Sequence, residues 1–263
     1  MDLSVAILLG IVQGIAEFLP ISSSGHLLLF DHLLEGKSLS LHMNIALHLG
    51  TLLAVSLYFF SDWWRMLMAL IAKFRHKTPS FEADTLFPAL VIGSIPAGIL
   101  GLLFDKQIEA VFHNPHHIAI PLILVGILMW AVDRHYPAHK TLEQGLNIRQ
   151  GLWIGIAQCC ALIPGVSRSG STLTAGRFLG FSKDSAARFS FLLGTPPMVA
   201  AVLLHIKGVG QALTDSHFQV GVLASFIVGL ASIHFLLAML KRYSLFPFMV
   251  YRVALGIGIL LWL

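Results

Sequence analysis

Two short stretches of this chain carry residue types that do chemistry: QGIAEFLPISSSGH at 13–26 and PGVSRSGST at 164–172. In the first, Gln13 and Glu17 are four apart, so a helix through them sets an amide and a carboxylate on one face, a turn apart. Their oxygens suit a hard divalent cation, Mg²⁺ or Ca²⁺, which prefers oxygen ligands and keeps several waters. Ser22, Ser23, Ser24, Gly25 and His26 follow, placing hydroxyls beside an imidazole, as base-assisted nucleophilic attack requires. Loop serines also cap helices, a second reading for Ser22 and Ser24. In the second stretch Ser167, Arg168, Ser169, Gly170 and Thr172 stand at the start of a helix. Helix N-termini bind phosphates, and an arginine fork matches phosphate oxygens; the alternative for Arg168 is an ion pair with Glu17. An acid, candidate nucleophiles and a phosphate cradle together point to hydrolysis of a phosphoryl group on a lipid.

Rival phosphate chemistries lack their motifs. No GxxxxGK[ST] nucleotide loop occurs. Cysteine-dependent phosphatases separate Cys and Arg by five residues, but seven lie between Cys160 and Arg168. The Lys-to-Arg-Pro motif of the lipid acid phosphatases with a histidine nucleophile is also missing.

The elements that must position these residues are membrane helices. The chain is 56% hydrophobic and 11% charged, with a mean hydropathy of +0.81, whereas soluble domains are about 25% charged. Runs at 41–60, 86–104, 118–132, 186–206, 218–240 and 245–263 approach the ~20 residues that a crossing helix needs, giving six spans. The N-terminus lacks a basic region and a small-residue cleavage site, so no removable signal peptide is expected. Cys159 and Cys160 are adjacent in an apolar run and read as packing. The net charge of +4 reads as membrane topology, not as nucleic-acid binding.

The two chemical stretches are copies. Gly10, Gln13, Ala16, Ser22, Ser24 and Gly25 recur 145 residues later as Gly155, Gln158, Ala161, Ser167, Ser169 and Gly170. Leu49-Gly50-Thr51 recurs as Leu193-Gly194-Thr195, and Pro115 and the run 125–130 recur 132 residues later at Pro247 and 257–262. The expectation is a single all-α membrane domain, 1–263, of two repeats at about 1–135 and 145–263. Each has a polar segment interrupted at Pro20 and Gly25, or at Pro164-Gly165 and Gly170, read as a re-entrant helical hairpin followed by three spans. Non-helical backbone at membrane depth survives only where protein or a wet cavity satisfies it. Three crossings per unit invert the second copy, an arrangement that places a site near the midplane between repeats.

Lysine and arginine set the orientation. The segments read as loops, around 61–85 and 133–150, carry Arg65, Lys73, Arg75, Lys77, Arg134, Lys140 and Arg149; Arg177, Lys183, Arg188, Lys241 and Arg242 fall on the same side. Only Lys37, Lys106 and Lys207 fall opposite. The basic side is read as cytoplasmic, with both termini and the mouth of the first hairpin outside.

At these motifs the chain resembles the undecaprenyl-diphosphatase, or bacitracin-resistance, family. RFSFLLGTPP (188–197) and KRYSLFPFMVYR (241–252) extend the likeness over nearly the whole length. The resemblance implies removal of one phosphate from undecaprenyl diphosphate, a polyprenyl lipid, to regenerate the carrier for peptidoglycan. It also implies a Mg²⁺ or Ca²⁺ cofactor and a multi-pass protein of the bacterial inner membrane whose site opens to the outer face. The family's (E/Q)xxxE element falls on Gln13 and Glu17, its serine and histidine on Ser23 and His26, and its phosphate-binding arginine on Arg168. Ala16 and Ser24 stand where Thr is common. Bacitracin binds the substrate, so resistance is indirect.

The mechanism expected on this basis has Ser23 attacking the terminal phosphorus with His26 as base, giving a phosphoserine. His26 as nucleophile, or as base for direct water attack, is the alternative. Glu17 and Gln13 position the metal, and Arg168 with Ser167, Ser169 and Thr172 neutralises the transferring phosphoryl. A different class also fits facing broken helices, a flippase of the monophosphate. Homo-oligomerisation is left open.

Overall fold

The computed structural model describes residues 2–33, 41–75, 81–111, 115–206, 208, 210 and 214–263. Lys37, Lys77 and Lys207 lie outside them, and the Lys106 side chain is likewise outside what is described. The secondary structure is helical: α1 (Leu3–Ala16), α2 (Ser23–Leu33), α3 (Leu41–Tyr58), α4 (Phe60–Phe74), α5 (Phe81–Val111), α6 (Pro115–His135), α7 (Ile148–Cys159), α8 (Arg168–Phe178), α9 (Lys183–Leu204), α10 (Ser216–Leu240) and α11 (Phe246–Trp262). α5, α6, α9 and α10 contain spans of 20 to 25 apolar residues. α3 qualifies together with α4, and α11, at 17 residues, is near the lower limit for a crossing. This is a multi-pass membrane protein.

The sequence places a loop after the first span where the chain instead continues as α4, bent 66° from α3. The reason is amphipathicity. Phe60, Trp64, Leu67 and Met68 face outward while Asp62, Met66 and Ala69 are buried, as suits a helix lying in the membrane interface. Buried Asp62 pairs with Arg188 of α9, which also reaches Glu143 at 3.2 Å.

Both interrupted segments are hairpins of two short helices, α1 with α2 and α7 with α8. Each first helix packs through small residues on a long span. A β-carbon at Gly10 would stand 2.5 Å from the Gly221 carbonyl oxygen, and one at Gly14 would stand 2.9 Å from the Gly229 nitrogen. On the other side a β-carbon at Gly151 would stand 2.8 Å from that of Ala89, and one at Gly155 would strike Gly93. These contacts repeat the internal alignment: Ala6 and Gly10 match Gly151 and Gly155, while Ala89 and Gly93 match Gly221 and Ser225. The contacts ascend together in both pairs, so α1 runs parallel to α10 and α7 parallel to α5.

α6 and α11 are antiparallel, with Gly126 against Arg252 and Gly256 against Ala119 and Ile123. Since α5 and α6 are consecutive crossings, as are α10 and α11, α5 and α10 run in opposite senses. α1 and α7 therefore oppose each other, the inverted relation expected from three crossings per unit.

One end of the molecule gathers Lys140, Arg177 and Lys183. Arg177 donates to Asp133 Oδ1 at 3.1 Å and to the Tyr136 and Phe181 carbonyls, while Lys183 donates to the Tyr243 carbonyl.

Candidate active site

The two broken helices meet at their loops. Ser22 and Ser167, matched in the repeat, both adopt left-handed backbone with φ of +77° and +75°, which costs a non-glycine residue about 1–3 kcal/mol. Each hydroxyl accepts from the backbone three residues on, Ser22 from Gly25 N–H (3.3 Å) and Ser167 from Gly170 N–H (3.1 Å). The capping reading of Ser22 thus holds, and Ser167 caps its own helix. Gly25 and Gly170 leave room for this turn, since a β-carbon would press on Ser22 Oγ at 3.2 Å or Ser167 Cβ at 3.2 Å.

Glu17, just past α1, is the centre of the site and is buried. Its Oε2 accepts from Ser23 Oγ (2.7 Å) and Gln13 Nε2 (3.0 Å) and lies 3.6 Å from His48 Nε2. Its Oε1 accepts from Arg168 Nη2 (2.6 Å). The other end nitrogen of Arg168 donates to the Gly194 carbonyl. The ion pair that sequence offered as the alternative is therefore formed, and it joins the opposed hairpins directly.

His26 is not brought to Ser23. Its Nδ1 bonds the Ser22 carbonyl at 2.7 Å and its Nε2 bonds the Tyr251 hydroxyl at 2.6 Å, with the two rings stacked. The basic group on Ser23 is Glu17. Ser169 bonds the Leu19 carbonyl (3.1 Å) and Ser167 Oγ (3.1 Å), tying one loop to the other. Thr172 bonds the Arg168 carbonyl and Ser190 of α9, so its hydroxyl supports α8 from within. Ser24, in the first turn of α2, is exposed, with its Oγ 3.4 Å from Ser22 Oγ.

Sequence reasoning missed His48, Gly194, Tyr251 and Arg252. The repeated Leu-Gly-Thr was a usable signal: His48 precedes the first copy and Gly194 lies in the second, where a side chain would collide with the Arg168 guanidinium. Arg252 sat in plain view as an ionisable residue in an apolar run, a functional hypothesis by default.

This site can be compared with known proteins. The profile of the bacitracin resistance protein BacA matches residues 6–258. The chain belongs to the BacA family. It is 41% identical to the undecaprenyl-diphosphatase of Pelotomaculum thermopropionicum, covering 97% of this chain and 94% of the relative. It is 43% identical to that of Thermomicrobium roseum, covering 97% and 96%, and 40% identical to undecaprenyl-diphosphatase 1 of Pseudoalteromonas translucida, covering 98% and 97%. In this BacA-family chain both chemical motifs lie at the loop junction.

The cation implied by the resemblance can be tested against the donors. Among the described residues no group of three or more His, Cys, Asp or Glu side chains could hold a metal. Gln13 Oε1 is nevertheless buried without a hydrogen-bond partner, on a side chain already bonded to Glu17. An unpartnered amide oxygen on a buried side chain that is itself bonded to a carboxylate has the donor chemistry of a hard-cation ligand, with water and substrate oxygens as the other ligands.

Proposed function

We propose that this protein hydrolyses undecaprenyl diphosphate to undecaprenyl phosphate and inorganic phosphate, recycling the carrier for cell-wall synthesis and conferring bacitracin resistance. The observation that carries the reading is the continuous chain from Ser23 hydroxyl to Glu17 carboxylate to Arg168 guanidinium. It joins nucleophile, base and anion-binding cation at one junction.

In this mechanism Ser23 Oγ bonds to the terminal phosphorus as its proton passes to Glu17 Oε2. The bond from that phosphorus to the bridging oxygen breaks, and the prenyl monophosphate leaves with the electron pair and takes the proton from Glu17. Glu17 then removes a proton from water, whose oxygen attacks the phosphoserine, and Ser23 leaves and recovers that proton. Arg168, held on the Gly194 carbonyl, exchanges Glu17 Oε1 for a phosphoryl oxygen and meets charge that grows in the transition state, where preorganised donors act most strongly. Gln13 and Glu17 would hold the divalent cation, which when bound supplies neutralisation of the diphosphate oxygens. His26, engaged with Ser22 and Tyr251, holds the capping turn from which Ser23 projects.

An apolar cavity of about 500 Å³ between α6, α7 and α8, lined by Leu128, Trp153, Val166, Ser171 and Phe178, offers an isoprenoid chain a surface beside the Arg168 helix. The site is taken to open toward the outer face of the inner membrane, opposite the basic end. Phosphate release from a long-chain isoprenyl diphosphate in detergent tests the reading; well-folded protein that releases none removes it.

The opposed senses of α1 and α7 support a second reading, a flippase of the monophosphate product. Lipid flipping in sealed vesicles by Ser23→Ala would favour it.

A further inference from the structure

Arg252 lies within α11, is wholly buried, and among the described residues has no carboxylate in ion-pair reach. Its guanidinium instead donates to five carbonyls. Nε bonds Leu122 (3.0 Å), Nη1 bonds Pro20 (3.1 Å), and Nη2 bonds Pro121 (3.3 Å), Gly165 (2.9 Å) and Val166 (3.0 Å). Pro20 precedes the Ser22 turn by two residues, and Gly165 and Val166 lead directly into the Ser167 turn. One planar fork thus holds the chain immediately ahead of both left-handed caps. Gly126 makes room for it, since a β-carbon there would stand 3.1 Å from Arg252 Cβ and 3.4 Å from Nε.

We infer that Arg252 is the positioning residue that sets the two half-sites in register, fixing Ser23 and Glu17 of one hairpin against Arg168 of the other. The inference rests on the phosphatase reading and goes beyond it. The hairpins enter from opposite senses, and their loop carbonyls have left helical bonding. At membrane depth such carbonyls need donors from the protein. Arg252 supplies them to both loops from one rigid group, so the separation of the loops follows its fork. A lysine has three donors on a flexible stem and cannot reproduce that spacing. Arg252 has no equivalent in the internal repeat, where Ile120 stands opposite, so one residue serves both halves.

The experiment compares wild type, Arg252→Lys and Gly126→Ala for kcat and KM per folded molecule, with the folded fraction taken from monodispersity and thermal midpoint in detergent. Misplacement of reacting groups by about 1 Å costs about 10²-fold in rate, so both variants are expected to lose at least about tenfold in kcat with KM little changed. Should Arg252→Lys fail to fold, Gly126→Ala displaces the same guanidinium and carries the comparison. Activity lost only in proportion to folded protein overturns the inference. A second readout needs no activity: in a Cys159→Ser, Cys160→Ser background, a Leu19→Cys, Ser169→Cys pair spans the loop contact. Cross-linking severalfold slower with Arg252→Lys supports the register role, and an unchanged rate overturns it. Wild type that releases no phosphate defeats the phosphatase reading alone, leaving the cross-link to decide the register.

Discussion

Ser23 Oγ stands 2.7 Å from Glu17 Oε2 across the turn that contains Pro20, so the hydroxyl already donates to the group that would take its proton. Glu17→Gln keeps the shape but cannot accept a proton, and phosphate release is expected to fall about 10²–10⁴-fold, the range for loss of a general base. Rapid acid quench of turnover with substrate labelled on the terminal phosphate should give acid-stable phosphoserine at Ser23. Acid-labile label on His26 would move the nucleophile there.

Arg168 divides its fork between Glu17 and Gly194. Arg168→Lys retains the charge but not two fixed bonds, and a loss of about 10²–10³ in kcat is expected, as for removal of one transition-state donor. A turnover number equal to wild type would show that the guanidinium serves structure alone.

His26 is held by Tyr251 and not by Ser23. Tyr251→Phe removes one hydrogen bond of about 0.5–1.5 kcal/mol, and activity is expected to drop less than about tenfold with an unchanged pH–rate profile. A loss as deep as that of Ser23→Ala would restore His26 as the base.

Gln13 donates its amide nitrogen to Glu17 and keeps a buried oxygen without a partner. Chelation is expected to abolish turnover, and Gln13→Ala should raise the Mg²⁺ or Ca²⁺ concentration that restores half of it. A cation titration that is the same in both proteins would place the ion elsewhere.

The glycine seam makes a stability prediction. Gly155→Ala forces a methyl into Gly93 of α5 and is expected to destabilise by about 1–3 kcal/mol, the usual cost of overpacking. Gly98→Ala meets nothing within 4 Å and serves as the neutral comparison. Thermal unfolding in detergent measures both.

The sequence by itself determined the membrane class, the two broken hairpins and their inverted relation. Each follows from local composition, from residues recurring at a fixed spacing, or from an odd number of crossings. It also placed Gln13, Glu17, Ser23 and Arg168 among the candidates, because charge and hydroxyls are costly in an apolar chain. Amphipathic α4 was hidden in a stretch whose basic residues looked like a loop. What stands next to Ser23 was decided only by tertiary structure. Ser23 is three residues from His26 and six from Glu17 along the chain, yet the positive φ of Ser22 and the Pro20 turn fold the hydroxyl back onto the carboxylate. Meanwhile His26 turns to Tyr251, 225 residues away. Arg252 likewise has a meaning only in three dimensions, since its five acceptors come from three separate segments that no pattern along the chain brings together.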